Sequence, residues 1–588
     1  MNTKYHYTDE RNVQIVIALL KAHGIKRVIA SPGTTNMTFV VSVQNDSWFQ
    51  VWSSVDERSA AYLACGMAAE TGEPVVISCT GATASRNYMP GLTEAYYRKL
   101  PVLAITSTRG NHFIGHLVDQ QIDRRRLPND IAIESVTLPM VKDSSDERFC
   151  VIEANKAILA LKLNGGGPVH INLYTQYSRN FSVVEIPKVD VIKRYTIYDI
   201  LPELPSGGRI AVFVGAHANF TENEILAIDR FCATNDAIVL CDHCSGYRGK
   251  YEVHAQIAAC QRNWHSDLNK IDLCIHIGEV SGDAFIPGFS HVWRVSPDGE
   301  LRDTWGKLRK VFMMPEEVFF NHYSKEGEAH TEYLESITSE IETLSSNIPE
   351  LPFSNIWIAK ELHSKLPPAS ELHLGIYHSL RSYNFFKLDP SIFSKCNVGG
   401  FGIDGGVSTM IGASLANPNK LFFGIFGDLA FFYDMNVVGN RHVGCNIRIL
   451  LINNGKGNEF RNYGHPCCFL GEDADDYVAA ARHFGNKSRV LVKHYVEDLG
   501  YEYLEAYDKK SFLSVIDRFT QPLLTDKPML LEVFTETQDE SDALEKMLNL
   551  VETKALSLVQ RTKTALKNSI VEAMGASRVQ AIKTLIKG

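Results

Sequence analysis

A chain of 588 residues has room for three or four domains of ordinary size. Its 45% hydrophobic and 22% charged residues are the balance of a globular protein and exclude a disordered or fibrous one. A net charge of -9, with no basic run of the kind that marks a phosphate-backbone footprint, gives no reason to expect nucleic acid, and no apolar stretch reaches the length of a membrane span. The opening MNTKYHYTDER lacks the apolar region of a signal peptide, so a cytoplasmic protein is expected. Cys241 and Cys244 (CDHC) have no second CxxC to complete a zinc site, and Cys467 and Cys468 are adjacent. The twelve cysteines therefore read as structural thiols of a reducing compartment.

Residues 9–30 read as a helix and a strand. Val13, Val16, Ile17 and Leu20 recur at helical spacing, Gly24 stops the helix, and RVIA follows. SPGTTN then stands at the strand's carboxyl end. VWSSV (51–55) predicts a second strand, and Asp56-Glu57-Arg58 opens a helix of small residues. PVVISCTGATASRN reads as strand, turn and helix start, and LPVLAITSTRG as a further strand with its turn. The polar stretch NHFIGHLVDQQIDRRRLPND holds His112, His116 and Gln120, and its Arg124-Arg125-Arg126 run reads as a solvated face. GPVHINLYTQYS (167–178) closes this domain. The repeated alternation predicts a doubly wound parallel sheet.

Residues 185–205 carry prolines and little pattern, and read as a linker. A second α/β unit begins at Arg209 with IAVFVGAHAN, AIVLCDHCSGYRG, IDLCIHIGEVSGD and HVWRVSPDGE. It contains no GxGxxG fingerprint for a dinucleotide. Residues 322–352 are charged and helical, a second linker. The third unit starts near Ser354, where ELHLGIYHSLRS predicts a strand ending at His378-Ser379. The expected layout is α/β, with three doubly wound parallel-sheet domains at 1–185, 195–345 and 350–540 and a helical extension at 541–588. From Leu550 on, that extension has seven basic and two acidic residues. It reads first as a helix packing on a neighbouring subunit, and second as one lying on an anionic membrane.

Two polar clusters carry the chemistry. LFFGIF precedes Gly427-Asp428-Leu429, and IRILLI precedes Asn453-Asn454-Gly455-Lys456-Gly457, so each cluster stands where an apolar run ends. Taken singly, GDL is a strand-to-helix turn capped by Asp428 and NNG is an ordinary turn. Together they place a carboxylate, an amide oxygen and bare carbonyls at adjoining strand ends, a hard-oxygen set suited to Mg²⁺ and a diphosphate. Upstream, KCNVGGFGIDGGVSTMIGASLANP is a glycine-rich turn opening a helix, which lets backbone N–H groups approach a phosphate.

This pairing resembles the diphosphate motif of thiamine diphosphate (ThDP) enzymes. SPGTTN and DERSAAYLACGMAAETGEPVVISCTGATASRN resemble their pyrimidine-binding domain, and FGIDGGVST and GDLAFFYDMN resemble the branch of SEPHCHC synthase (MenD-like). The resemblance implies that Glu57 hydrogen-bonds the aminopyrimidine and shares a proton with it. It places Gln120 in an active-site loop facing substrate, with His112 and His116 as acid/base groups of the decarboxylase kind. It gives the cofactor to His378, Ser379, Gly402, Ile403, Asp404, Gly405, Ser408, Gly427, Asp428, Leu429 and Asn454, with Ile403 wedging its bent shape. Mg²⁺ falls to the side chains of Asp428 and Asn454 and the carbonyl of Lys456. The central domain is expected to hold no FAD. A homodimer or homotetramer is implied, with Glu57 and Asp428 meeting between subunits.

The branch holds dicarboxylate substrates with arginines, and here those places carry Thr35, Val398 and Tyr383, with Arg381 two residues before the last. Guanidinium clamps are not replaced conservatively by such residues. The expectation is a ThDP- and Mg²⁺-dependent carboligase that decarboxylates a 2-oxo acid and passes the acyl anion equivalent to a different carbonyl acceptor. A simple 2-oxo acid decarboxylase is the first alternative, and a non-catalytic ThDP-binding scaffold the second. Glu57 argues against the scaffold, which has no use for a proton-sharing carboxylate.

Overall fold

The computed structural model describes residues 5–262, 266–283, 285–482 and 488–551. It contains three sheets, all of whose described strand pairs are parallel. The first is built from β1 (Arg27–Ala30), β2 (Gln50–Ser53), β3 (Val75–Thr80), β4 (Val102–Thr108), β5 (Glu134–Leu138) and β6 (Val169–Tyr174), in the order β2-β1-β3-β4-β6-β5. The second holds β7 (Lys193–Thr196), β8 (Arg209–Val214), β9 (Ile238–Cys241), β10 (Glu252–Val253), β11 (Ile271–Ile277), β12 (Phe289–Val295) and β13 (Leu308–Met313), ordered β10-β9-β8-β11-β12-β13-β7. The third comprises β14 (Glu371–Leu374), β15 (Phe393–Lys395), β16 (Phe422–Gly427), β17 (Ile447–Asn453), β18 (Glu502–Ala506) and β19 (Met529–Phe534), ordered β15-β14-β16-β17-β19-β18.

By internal contacts the chain divides into two units, Met1–Pro202 with His291–Met314, and Glu203–Ser290 with Pro315–Gly588. In the first unit, successive strand residues feed opposite faces. Val28, Val76 and Leu103 enter one apolar cluster, and their neighbours Ile29, Ile77 and Ala104 enter another. Side chains alternate along a strand, so helices cover both faces, which is why these strands read as continuous apolar runs. In the second unit, Phe422, Phe426, Ile447, Ile449 and Leu451 build the same kind of cluster around β16 and β17.

Four readings need correction. The stretch expected as a linker at 185–205 contains β7, whose KRYT sequence pairs with β13 as a half-exposed edge strand. Such an edge needs no apolar run. Arg124 does not lie on a solvated face but is buried. The strand expected to end at His378-Ser379 ends at Leu374, and His378 begins the helix His378–Tyr383. The helix running into the extension, Thr537–Met547, stops at Met547, beyond which Leu548 and Leu550 are buried. The rest of the expected extension, from residue 552, lies outside the described residues.

Candidate functional site

In the second unit, both motifs stand at the carboxyl ends of neighbouring strands, since β16 pairs with β17 up to Gly427↔Ile452. Gly427 is the N-cap of the helix Asp428–Asp434, so Asp428 is its first residue and not its cap. The Asp428 side chain, in a residue only 2% exposed, receives Leu429 N–H on Oδ1 and Gly455 N–H on Oδ2, both at 2.9 Å. These bonds hold the turn after β17 against the turn after β16.

The two asparagines of NNGKG differ in their surroundings. Asn453 donates from Nδ2 to Glu532 Oε1 at 2.7 Å, and Tyr503 donates to Glu532 Oε2 at 2.9 Å. Burial raises the pKa of Glu532 against those two donors, which act to lower it. Asn454 Oδ1 is buried with no hydrogen-bond partner. A buried orphan acceptor costs free energy unless something satisfies it. An amide oxygen beside a carboxylate, next to a turn of bare carbonyls, suits a hard divalent cation, and the donor set therefore fits Mg²⁺. The Lys456 ammonium reaches Asp475 at 2.7 Å, so the part of Lys456 implied as a ligand is its carbonyl. At Asp475 burial opposes the charge, but Lys456 and Arg461 outweigh it and its pKa is lowered.

The glycine-rich turn is tied to the same helix. Asp434 receives Ser408 N–H at 2.6 Å and the Ser408 hydroxyl at 2.5 Å, so Ser408 links the two motifs with its own side chain. Gly405 caps the helix Gly406–Ala416 with φ 76°, a left-handed conformation that favours glycine. A Cβ on Gly406 would come within 2.9 Å of Phe426, so the helix start lies directly on β16. Gly402, Ile403 and Asp404 are on the exposed or half-exposed side of this turn.

His378 and Ser379 begin the helix after β14, next to a cavity of about 350 Å³. His378 Nε2 is 3.3 Å from Glu459 Oε2 and 2.8 Å from Asn462 Nδ2, and Arg381 pairs with Glu459 Oε1. Asn462 Oδ1 is buried without a partner. As placed, Asn462 Nδ2 donates to an unprotonated Nε2, and with the amide turned over Oδ1 would instead accept from a protonated one. Glu540 lines the same cavity, where burial raises its pKa. Glu459, Asn462 and Glu540 carry no local signal in the sequence, and only the fold brings them to His378. Tyr383 and Val398, at two of the places where the resemblance leads one to expect arginine, are buried.

In the first unit, Asp56 caps the helix Glu57–Thr71, accepting Arg58 N–H at 3.0 Å and the Ser59 hydroxyl at 3.1 Å. Capping is thus complete without Glu57, whose Oε2 receives Asn87 Nδ2 at 3.3 Å. Thr35, at the third place where the resemblance leads one to expect arginine, is buried and donates to Ser107 O at 2.7 Å. Gly81 N–H donates to its hydroxyl at 3.3 Å. Arg124 donates to Thr106 Oγ1 and Asn172 Oδ1, each at 2.7 Å, and burial lowers its pKa to about 10. His112, His116 and Gln120 are exposed on the loop after β4, and Gln120 has φ 56°. No side-chain hydrogen bond among the described residues fixes either histidine, so the geometry does not single out one as an acid or base.

Three parallel sheets, with an acidic turn and an asparagine turn joined at neighbouring strand ends, are the arrangement of a thiamine pyrophosphate enzyme. The family described as thiamine pyrophosphate enzyme, N-terminal TPP binding domain, matches residues 11–127. The chain is 30% identical over 580 residues to the 2-succinyl-5-enolpyruvyl-6-hydroxy-3-cyclohexene-1-carboxylate synthase of Bacteroides fragilis, covering 92% of this chain and 98% of that one. It is 29% identical to the synthase of the same name from Phocaeicola vulgatus, covering 92% and 98%, and 27% identical to that of Desulfotalea psychrophila, covering 91% and 99%. The chain belongs to this synthase family, whose members are ThDP-dependent enzymes catalysing a carboligation.

Proposed function

We propose that the protein is a ThDP- and Mg²⁺-dependent carboligase that decarboxylates a 2-oxo acid and joins the acyl unit to a carbonyl acceptor other than that of its relatives. The observation that carries the cofactor half is the Asp428–Gly455 bond beside the unpartnered Asn454 Oδ1. Asp428, Asn454 and the Lys456 carbonyl would hold the metal, and the turn Gly402–Gly405 with the helix it opens would receive the diphosphate. When bound, ThDP would supply a nucleophilic carbon for the carbonyl of the 2-oxo acid and a sink for the electron pair left behind as carbon dioxide departs. Glu57 would hold a proton at the aminopyrimidine, Ile403 would shape the cofactor, and Gln120 would orient the substrate. His378, backed by Glu459 and Asn462, can hold or move a proton at Nε2.

The altered acceptor is supported by Thr35, Val398 and Tyr383, neutral residues where the branch resemblance expects guanidinium groups. Glu57 belongs to one unit and Asp428 to the other, and a site built by two copies would complete each with the other. Tyr62 and Leu63, both about half exposed on the helix that begins at Glu57, support such a homo-oligomer. No flavin is part of the proposal, and a cytoplasmic location is. Among the described residues no helix is long and apolar enough to cross a membrane.

The test is carbon dioxide release by the pure protein with ThDP and Mg²⁺ over a panel of 2-oxo acids, with and without carbonyl acceptors. Release that rises several-fold with one acceptor, with a ligated product, is the expected result. Equal release with free aldehyde as product would make it a decarboxylase.

A further inference from the structure

The first unit has a cavity of about 440 Å³, within the size range of small-molecule pockets. Ile25 and Pro74 line it from just before β1 and β3, so it opens at the amino ends of these strands. Glu57 and the loop after β4 follow the carboxyl ends. Ile158, Leu159 and Leu161 complete an apolar floor, and Lys162, Lys193 and His23 stand around it.

The charges here are unbalanced. Neither Lys162 nor Lys193 has a carboxylate partner among the described residues. The acid in the lining, Asp199, is engaged locally, accepting Thr196 N–H at 2.7 Å and the Thr196 hydroxyl at 2.8 Å. Lys193 faces Lys310 directly across the β7–β13 pair, a like-charge juxtaposition that costs stability. Arg194 is fixed by main-chain carbonyls, Gly299 O at 2.8 Å and Leu159 O at 2.9 Å, and by no carboxylate in those bonds. His23 Nε2 is buried without a hydrogen-bond partner. Burial, then Lys193 and Lys162, bring this imidazole down to about 4, which leaves it neutral at pH 7 and able to make one hydrogen bond through Nε2. An apolar floor, a cationic rim and an unused polar atom form a recognisable combination.

We propose that this cavity binds a small organic anion, with its apolar body against Ile25, Pro74 and Ile158 and its charged head between Lys162 and Lys193. The proposal stands apart from the chemistry at the strands' other ends and survives if that reading fails.

The test uses the full chain loaded with ThDP and Mg²⁺ and a fluorescent amphipathic anion, 8-anilinonaphthalene-1-sulfonate. N-phenyl-1-naphthylamine, which has the same apolar body without the sulfonate, is the control. The sulfonate should bind saturably at one site per chain and at least about tenfold more weakly to the Lys162→Glu/Lys193→Glu protein. That protein should melt no lower than the parent, because Lys193→Glu turns a repulsive pair with Lys310 into an attractive one. The Lys162→Arg/Lys193→Arg protein should keep the affinity. Absence of saturable binding, equal affinity in the charge-reversed protein, or equal binding of the uncharged probe would each overturn the proposal.

Discussion

The Tyr377 hydroxyl donates to the Phe401 carbonyl at 3.3 Å, and both residues have positive φ, 66° and 52°. Neither is a glycine, and each such conformation costs on the order of 1 kcal/mol or more unless its surroundings impose it. One residue immediately precedes His378 and the other immediately precedes Gly402, so the bond joins at their strained points two segments proposed to hold the cofactor. Tyr377→Phe removes the bond and keeps the ring. It should lower thermal stability by no more than about 1 kcal/mol, while ThDP affinity falls several-fold. Calorimetric titration with ThDP at fixed Mg²⁺, set beside a melting curve, separates the two effects. An affinity loss no larger than the stability loss would deny the bond any role in shaping the site.

The two asparagines of NNGKG should respond oppositely to the same change. Asn453→Ala strips a donor from the buried Glu532 and should cost about 1–3 kcal/mol of stability. Asn454→Ala removes an oxygen with no protein partner, so the fold should hold, but Mg²⁺-dependent ThDP binding should weaken at least about 100-fold. Chemical denaturation and ThDP titration on both variants check the pair. A destabilised Asn454→Ala protein with normal cofactor affinity would mean that Oδ1 serves the fold alone.

Asp56 and Glu57 are neighbours with separable tasks. Asp56→Ala removes the cap and should lower the melting temperature measurably. Glu57→Gln keeps the cap and should leave the melting temperature within a degree or so while turnover drops at least about 100-fold. Steady-state rates on the best 2-oxo acid, with thermal melts, decide it. Unchanged turnover in Glu57→Gln would remove the proton-holding role and with it the carboligase reading.

Much of this site was legible because it rests on short apolar runs with a polar cluster behind each. LFFGIF and IRILLI had to be buried strands, and β16 and β17 are. What was hidden depends on partners distant in sequence. KRYT reads as linker because an edge strand against Lys310 needs no apolar pattern. Arg124 sits in a run of three arginines that looks solvated, yet it alone turns inward to Thr106 of β4 and Asn172 of β6. Glu459 and Asn462 belong to no motif, and it is the turn after β17 that brings them to His378. Periodicity reports which face a residue occupies within its own element. It carries no information about what lies across from it.

Two buried histidines make stability fall with acid. Burial, aided by Arg124, brings His170 to about 3, and burial, aided by His254, brings His243 to about 3. Both rings have neutral partners, His170 with Thr106 and Ser135, and His243 with the carbonyls of Tyr383 and Phe386. In the unfolded chain each would titrate near 6.5. Above that value both states are neutral and no stability is at stake. Below it the unfolded state takes up protons that the folded state refuses, so stability is lost progressively from about pH 6.5 down to about 3. By about pH 4.5 each histidine should account for roughly 2–3 kcal/mol of the loss. Denaturant midpoints measured from neutral to acid pH should show this slope, and His170→Gln should flatten it by about one proton while lowering the neutral-pH plateau. A profile equally steep in His170→Gln would assign the acid sensitivity to other groups.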